Sequence, residues 1–359
     1  MANIMRSKER VLSAFAHVEP DRVPINYFAN PGIDHRLKEH FGLKSGDDEG
    51  LRRMLGVDFR SVAAPYIGPR LHADVPGRRV DPCWGVRTRW VEHESGGYWD
   101  YTDFPLQHAT LAEVEAWPMP SPEDYDYDRV TDLCRQYEPY CVVAGGAGLP
   151  DVINATGMVR TMEQVMIDLI TDDPAFLRYV ERKSAILLEV TRRTLEAGQG
   201  GINVLWLGED LGTQRGPLIS PQLYRKHIKP WHRRFAALGD SFGILVAIHS
   251  CGSSSWAFED FIDIGIDVVD TLQPEATAMA PADLKAQFGG RLAFHGCIST
   301  AGPLAYGTVE EVVENVHDTL AVMMPGGGYA LSPTHQIQDN SPTDNVVAMY
   351  EAAQAYGRY

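Results

Sequence analysis

The sequence lacks several features that would fix its location or class. No stretch approaches the roughly 20 consecutive apolar residues of a membrane-spanning helix, and the opening residues MANIMRSKERV hold no apolar run of signal-peptide length. There is also no paired cysteine framework, because the five cysteines are scattered along the chain: Cys83, Cys134, Cys141, Cys251 and Cys297. These absences favour a reducing compartment, and we expect a cytoplasmic protein with no membrane contact.

Positive charge is scarce as well. The chain has 32 Lys and Arg against 48 Asp and Glu, a formal net charge of −16. Such a balance argues against a nucleic-acid partner or an anionic membrane surface and leaves a small-molecule substrate as the expected partner. With 359 residues, 44% of them hydrophobic, the chain can bury a large core.

No internal repeat is visible, and no GxGxxG turn follows the first predicted strand, which argues against a doubly wound dinucleotide-binding sheet. Short β-rich runs alternate with amphipathic helices. We predict eight strands at residues 23–26, 59–63, 141–145, 202–208, 244–249, 268–273, 292–296 and 329–332. Convincing helices cover residues 173–197, 221–237, 257–263, 281–288, 308–323 and 342–356. This pattern predicts an α/β fold, a (β/α)₈ TIM barrel that forms a single domain over residues 1–359.

The segment 70–128 interrupts this alternation after the second predicted strand. It is rich in tryptophan, glycine and proline, and its strings GGYWDYTDFPL and WPMPSPEDYDYD indicate a hairpin followed by an irregular polar connection. We therefore interpret it as an insertion, and we expect it to form part of the pocket wall.

The segment 244–252, ILVAIHSCG, carries the strongest chemical signal. Residues two apart on a strand share a face, so His249 and Cys251 emerge side by side at the strand's C-terminal end. An imidazole and a thiolate form a soft metal-binding pair. A buried cysteine beside a hydrogen-bonded histidine is the alternative interpretation.

Other polar residues follow predicted strands at the same end, where barrel enzymes place their active sites. We propose Glu209, Asp210 and His295 as catalytic residues, and Glu209 or Cys297 as a further candidate ligand. The candidate substrate-binding residues are Tyr27, Phe28, Trp206, Gln273 and Gln338. Arg160 is expected at the surface, with binding of an anionic group as the alternative.

Five strings occur together in an order that resembles the uroporphyrinogen decarboxylase superfamily. They are ERVLSAFAHVEPDRVPIN, EDLGTQRGPLISPQLYRKHIKP, HSCGS, FGGRLAFHGCIST and PGGGYALSPTHQIQDNSPTDNVVAMYEAA. The resemblance implies a (β/α)₈ barrel. It also implies one of two activities, porphyrinogen decarboxylation or the zinc-dependent methyl transfer of corrinoid pathways.

Two departures from the family patterns favour methyl transfer. The arginine-bearing RQAGRY string of the decarboxylase is absent, and NYFANPGIDHR stands in its place. The methyltransferase branch has an HxC pair that matches His249 and Cys251, while its third ligand, a cysteine, is His335 here. The resemblance thus implies zinc bound by His249, Cys251 and His335, a set acceptable for zinc.

The leading hypothesis is a zinc-dependent methyltransferase. It would move a methyl group between a small methylated substrate or thiol and a corrinoid held by a separate protein, since no cobalamin-binding segment is evident. The alternatives are a metal-free lyase for a carboxylated substrate and a ligand-binding barrel without catalysis. The resemblance also implies a homodimer.

Overall fold

The computed structural model describes residues 5–93 and 96–359. Ten strands occur in these residues: β1 (Phe59–Val62), β2 (Arg79–Val80), β3 (Arg87–His93), β4 (Gly96–Tyr101), β5 (Cys141–Pro150), β6 (Val204–Gly208), β7 (Leu245–His249), β8 (Val268–Thr271), β9 (Ala293–Ile298) and β10 (Tyr329–Pro333). The helices are α1 (Ser7–Phe15), α2 (Pro31–His40), α3 (Asp48–Met54), α4 (Leu111–Ala116), α5 (Asp128–Gln136), α6 (Val152–Arg160), α7 (Met162–Thr171), α8 (Pro174–Ala197), α9 (Pro221–Leu223), α10 (Lys229–Ser241), α11 (Phe258–Asp263), α12 (Pro281–Phe288), α13 (Pro303–Tyr306), α14 (Val309–Met323) and α15 (Thr343–Tyr356). None of these helices is long and apolar enough to cross a membrane.

Seven strands form one parallel sheet in the order β1-β5-β6-β7-β8-β9-β10. Helices in the connections pack on its outer face, as parallel strands require. The sheet is curled, because Phe59 from its first strand and Ala330 from its last share one buried cluster with Trp206 from the middle. Val11 and Phe15 of α1 join the same cluster. The predicted α/β class is therefore correct, and the C-terminal ends of all seven strands face a common side.

The segment predicted as the first strand, residues 23–26, does not form one. It makes a single parallel bridge between Ile25 and Leu331 of β10. The Asn26 N–H donates to the Leu331 carbonyl at 2.9 Å, and on the other side the Asp58 N–H donates to the Ile25 carbonyl at 2.9 Å. Pro24 has no N–H to give to a ladder, which explains why the pairing stays isolated. The segment nonetheless lies between the two edge strands of the sheet.

A buried charge cluster anchors this segment below the sheet. Arg10 contacts Asp58 at 2.7 Å and Asp21 at 2.7 Å, and Arg22 contacts Asp58 at 2.7 Å. Asp58 also accepts the Ile25 N–H at 2.9 Å. Asp58 is fully buried, so its pairing with two guanidinium groups is what permits a charge there.

The insertion is more regular than predicted. Its hairpin, β3 and β4, gains the short strand β2 and forms a three-stranded antiparallel sheet, followed by α4 and a 3₁₀ turn at Pro122–Asp124. Residues 94 and 95 of the insertion lie outside the described residues.

The helix predicted at 221–237 is divided. It begins with α9, continues as a π-helical turn at Tyr224–Ile228 and resumes as α10. Pro230 lies in the first turn of α10 and has no N–H for the preceding turn.

Candidate functional site

Three neighbouring strands bring one polar side chain each to the same level. His249 on β7 is paired in register with Asp270 on β8, and Asp270 with His295 on β9. The Asp270 carboxylate lies 2.6 Å from Nδ1 of His249 through Oδ2 and 2.6 Å from Nδ1 of His295 through Oδ1. One buried carboxylate therefore joins two imidazoles.

This arrangement orients the free nitrogen of His249. Because Nδ1 donates its proton to Asp270, the lone pair of neutral His249 is on Nε2. Nε2 lies 3.2 Å from Cys251 Sγ and 3.8 Å from Asp210 Oδ1. One ligand atom from each of Asp210, His249 and Cys251 fits within a 4.8 Å cluster. Nitrogen, sulfur and oxygen donors in one such group suit zinc.

The two loops that carry Asp210 and Cys251 are fastened to each other. Asp210 accepts the Cys251 N–H through Oδ1 at 3.0 Å and the Asn154 side-chain amide through Oδ2 at 2.9 Å. Gly252 has φ +70°, and a Cβ there would lie 2.6 Å from the Gly212 carbonyl oxygen. A side chain at 252 would therefore push the loops apart, and glycine keeps Cys251 beside Asp210.

The surroundings of the site favour the protonated forms of both His249 and Cys251. Burial opposes protonation of His249, but the hydrogen bond and charge of Asp270 prevail and raise the pKa of His249 well above its usual value. Burial also raises the pKa of the Cys251 thiol, although His249 counteracts it. A divalent metal ion binding there must displace protons from both groups, so its affinity rises with pH.

A cavity of about 400 Å³ opens beside this cluster. Its walls combine apolar and polar residues from the C-terminal strand ends: Asn26, Phe28, Phe59, Ser61, Val143, Gly145, Gly146, Ala147, Trp206, His249, Asp270, Pro333, Thr334, His335 and Gln336. The imidazole of His335 lies 6.4 Å from that of His249, centroid to centroid. Burial, with a contribution from His249, lowers the pKa of His335, so this ring is neutral and can accept a metal or a proton.

Of the predicted substrate-binding residues, Phe28 and Trp206 line this cavity and the other three do not. Tyr27 points away from it, with its hydroxyl 3.2 Å from Asp34, because adjacent residues of an extended segment face opposite sides. Gln273 accepts the Gly252 N–H at 3.2 Å, and so supports the Cys251 loop. Gln338 is exposed and contacts Asn30.

Two of the predicted catalytic residues are buried away from the cavity. Glu209 faces the helix layer, where it accepts the N–H groups of Val152 and Ile153 at the start of α6, each at 2.8 Å. Burial raises the pKa of Glu209 to about 8. His295 is fully buried beneath Trp206, with Nε2 3.0 Å from the Asn26 amide nitrogen. His295 is thus a support for Asp270, and Glu209 is a helix-capping residue.

Two further expectations need correction. Cys297 is 1% exposed and packs in the hydrophobic core, and it does not belong to the group that Asp210, His249 and Cys251 form among the described residues. Arg160 is neither a surface residue nor free for a ligand, since it is buried at 2.7 Å from Asp168. The insertion does not line the cavity either: none of its described residues borders it.

Asp270 and Asn26 are among the site residues that the sequence analysis did not single out, and Phe59, Thr334 and Gln336 of the cavity wall are others. A signal for Asp270 was present, because it is the one charged residue in the run VVDTL, and it lies level with His249 and His295 on the neighbouring strands. The signal for Asn26 was weaker: it precedes Tyr27, which was predicted to line the pocket, and Asn26 is the one of the two that does.

Residues 101–356 match the family model for uroporphyrinogen decarboxylase (URO-D). The chain belongs to the URO-D family. A comparison with curated proteins found no match. The membership confirms the resemblance seen in the sequence and makes an enzyme the expected class.

One solved structure shows the same fold over almost the whole chain. A methyltransferase from Methanosarcina mazei superposes with a TM-score of 0.63 at 16% identity, covering 98% of this chain and 99% of that one. A structure of D-psicose 3-epimerase in the presence of D-fructose superposes over 69% of this chain and 85% of that one, at 12% identity and a TM-score of 0.34. For this URO-D family member, the first superposition shows the common fold over almost the whole chain.

Proposed function

We propose that this protein is a zinc-dependent methyltransferase that moves a methyl group between a small methylated substrate or thiol and a corrinoid held by a separate protein. The observation that carries the proposal is the cluster of Asp210, His249 and Cys251, of which His249 lines the cavity. Membership of the URO-D family and the likeness in fold to a methyltransferase support it.

The donor set fits a catalytic zinc ion. Three protein ligands of mixed nitrogen, sulfur and oxygen type, with one ligand oriented by a second carboxylate, are typical of such centres. We propose Asp210 in addition to the predicted His249 and Cys251, and keep His335 as the candidate fourth ligand or substrate contact. When bound, the metal ion would supply Lewis-acid chemistry, which lowers the pKa of a ligated thiol and activates a methylated donor.

The remaining chemistry belongs to the residues of the chain. Asp270 holds the proton on His249 Nδ1 and so keeps Nε2 directed at the cluster. Phe28, Phe59 and Trp206 exclude water from the cavity, and Gln336 and Thr334 offer polar contacts at its edge. His335, neutral and facing the cavity, can take up a thiol proton during transfer.

The decarboxylase alternative has less support. A polycarboxylated substrate needs cationic partners when it leaves water. Among the residues that the structure describes, no lysine or arginine lines the 400 Å³ cavity. The cavity therefore suits a small, weakly charged substrate better than a porphyrinogen.

Metal analysis tests the proposal. Purified protein should contain about one zinc ion per chain, and Asp210→Asn, His249→Ala and Cys251→Ser should each lose most of it. Cys134→Ser is the matched control, because Cys134 is a buried free cysteine in a different cluster. Full zinc content in Cys251→Ser, or no zinc uptake by the wild type, would contradict the proposal.

The methyl-transfer step is tested with methylcobalamin as donor and 2-mercaptoethanol as acceptor. The Co–C bond breaks and leaves its electron pair on cobalt as cob(I)alamin, an S–C bond forms in the thioether product, and the thiol proton is released, so loss of the methylcobalamin absorbance reports the reaction. We expect turnover in the zinc-loaded wild type and none in Cys251→Ser.

Three structural expectations stay with this proposal. We propose that residues 23–26 close the barrel in the place of an eighth strand, since their backbone bonds to Leu331 of β10 and to Asp58, the residue before β1. We also propose that residues 1–359 form one domain and that the protein is a homodimer, which light scattering after size exclusion would test.

A further inference from the structure

A second cavity of about 550 Å³ lies between the insertion and the helices of the main fold. The insertion sheet covers one side through Thr88, Trp99 and Tyr101, which share a face of β3 and β4. On the other side lie residues of α6 and α8 and the end of β5, including Gly148, Asp151, Ala155, Met158, Lys183 and Leu187. The insertion, which does not border the first cavity, thus encloses a cavity of its own.

The walls of this second cavity are aromatic and contain an unpaired cation. Trp84, Trp99 and Tyr101 supply three rings. The Lys183 amine, which is partly buried, forms no hydrogen bond or ion pair with any described residue, and it lies 5.6 Å from the centre of the Trp84 ring. Burial lowers the pKa of Lys183 to about 8, although the charges of Asp151 and Glu209 counteract this effect. A partly buried lysine usually has a carboxylate at hydrogen-bonding distance, so a free one facing a cavity points to an anionic ligand.

The carboxylates near Lys183 do not serve as its hydrogen-bond partners. Asp81 already accepts the N–H groups of Cys83 and Trp84, at 3.0 and 2.6 Å. Asp151 accepts the Asn154 N–H at 3.1 Å, and burial together with Glu209 raises the pKa of Asp151 to about 8. The raised pKa favours the protonated form of Asp151, which can donate a hydrogen bond to an oxygen anion.

We propose that this cavity is a second binding site, distinct from the metal cluster, for a small aromatic carboxylate. Its carboxylate would pair with Lys183, and its ring would pack between Trp84, Trp99 and Tyr101. A quaternary ammonium ligand would also suit the three rings, but Lys183 and Arg79 on the same walls would repel it.

The second site borders the first across one strand end. Gly145, Gly146 and Ala147 line the first cavity, while Gly148 and Asp151 line the second. The proposal does not rest on the proposed function, because none of its residues belongs to the metal cluster.

Benzoate, benzamide and acetate are the probes for the test, with binding followed by tryptophan fluorescence and ligand-observed NMR. We expect benzoate to bind at least tenfold more tightly than either benzamide, which lacks the charge, or acetate, which lacks the ring. Lys183→Met should weaken benzoate binding at least tenfold. Lys226→Met is the control, because Lys226 is an exposed lysine paired with Asp172.

A second variant keeps the test decisive if Lys183→Met does not fold. A Cβ added at Gly148 would meet nothing within 4 Å, so the backbone accepts a side chain there, and Gly148→Leu should occupy part of the cavity and also abolish benzoate binding. Cys251→Ser should leave it unchanged, which separates this site from the metal proposal. Equal binding of benzoate and benzamide, or benzoate binding lost in Trp206→Leu but kept in Gly148→Leu, would overturn the inference.

Discussion

Replacing Asp270 by asparagine tests whether one carboxylate organises the candidate metal centre. Asp270 offers two oxygens to two imidazole N–H groups, each at 2.6 Å. Asparagine keeps the shape but presents one acceptor and one NH₂ donor. One of the two histidines then faces a donor and must move its proton from Nδ1 to Nε2, or turn toward Thr271, whose hydroxyl is 2.9 Å from Nδ1 of His249.

Both outcomes disturb His249. A proton on Nε2 blocks metal ligation, and a turn toward Thr271 misaligns the ring. Loss of such a supporting carboxylate usually weakens metal binding by about 10- to 100-fold, or about 1.4–2.7 kcal/mol. If His295 is the ring that moves its proton to Nε2, this proton faces the Asn26 side-chain NH₂ group, which lies 3.0 Å from Nε2. The Asn26 amide must then rotate, and its oxygen no longer accepts the Tyr27 N–H.

The assay is a competition between the protein and a chromogenic zinc chelator at pH 7. Asp267→Asn is the matched control, because Asp267 accepts the Val246 N–H at 2.8 Å through one oxygen and bonds to no histidine among the described residues. Zinc affinity of Asp270→Asn within about threefold of wild type would refute the reasoning, since it would mean that His249 needs no carboxylate to direct Nε2.

Three further predictions concern stability and substrate. Arg160→Met should lower the free energy of unfolding in urea by about 3–5 kcal/mol, because Asp168 stays buried without its partner. Lys226→Met should lower it far less, because the pair of Lys226 with Asp172 is exposed, and equal losses would contradict this. Burial lowers the pKa of His232 to about 3 in the folded protein, from 6.5 in the unfolded chain. Below pH 6.5 the unfolded state therefore binds more protons than the folded state. The free energy of unfolding should fall as the pH decreases, by up to about 5 kcal/mol. His232→Gln should flatten this slope between pH 3 and 6.5, and an unchanged slope would show that His232 is not its source. Uroporphyrinogen should not be converted, and turnover at about 1 s⁻¹ by product analysis would instead support decarboxylation.

Seven of the eight predicted strands and all six predicted helices overlap observed elements, because their apolar periodicity was strong. The exception, residues 23–26, followed from treating an apolar run as a strand although Pro24 interrupts its hydrogen bonding. The division of the 221–237 helix had a similar cause at Pro230. In both places a proline indicated that the backbone hydrogen bonding is interrupted, and the pattern of apolar side chains did not indicate this.

At the candidate site, the spacing of His249 and Cys251 along the sequence predicted that these two side chains lie together, but it could not indicate which residues from distant parts of the chain contact them. Asp210 reaches the pair because β6 and β7 are neighbours, and Asp270 because β7 and β8 are in register. Such contacts depend on strand order and register, which a single sequence does not state. His335 lies near His249, and its part in metal binding stays a prediction.

The adjacent carboxylates Glu209 and Asp210 show what can and cannot be predicted from polar residues at the end of a strand. Consecutive residues after an extended strand point to opposite sides, so only one of the two can face the cavity side of the sheet. Asp210 takes that side and meets Cys251, while Glu209 turns outward and holds the first N–H groups of α6. Because α6 also carries Asn154, which binds Asp210 at 2.9 Å, the outward carboxylate positions the helix that steadies the inward one. Glu209 is therefore a supporting residue and Asp210 a candidate ligand, and the direction in which each side chain points is what distinguishes the two roles.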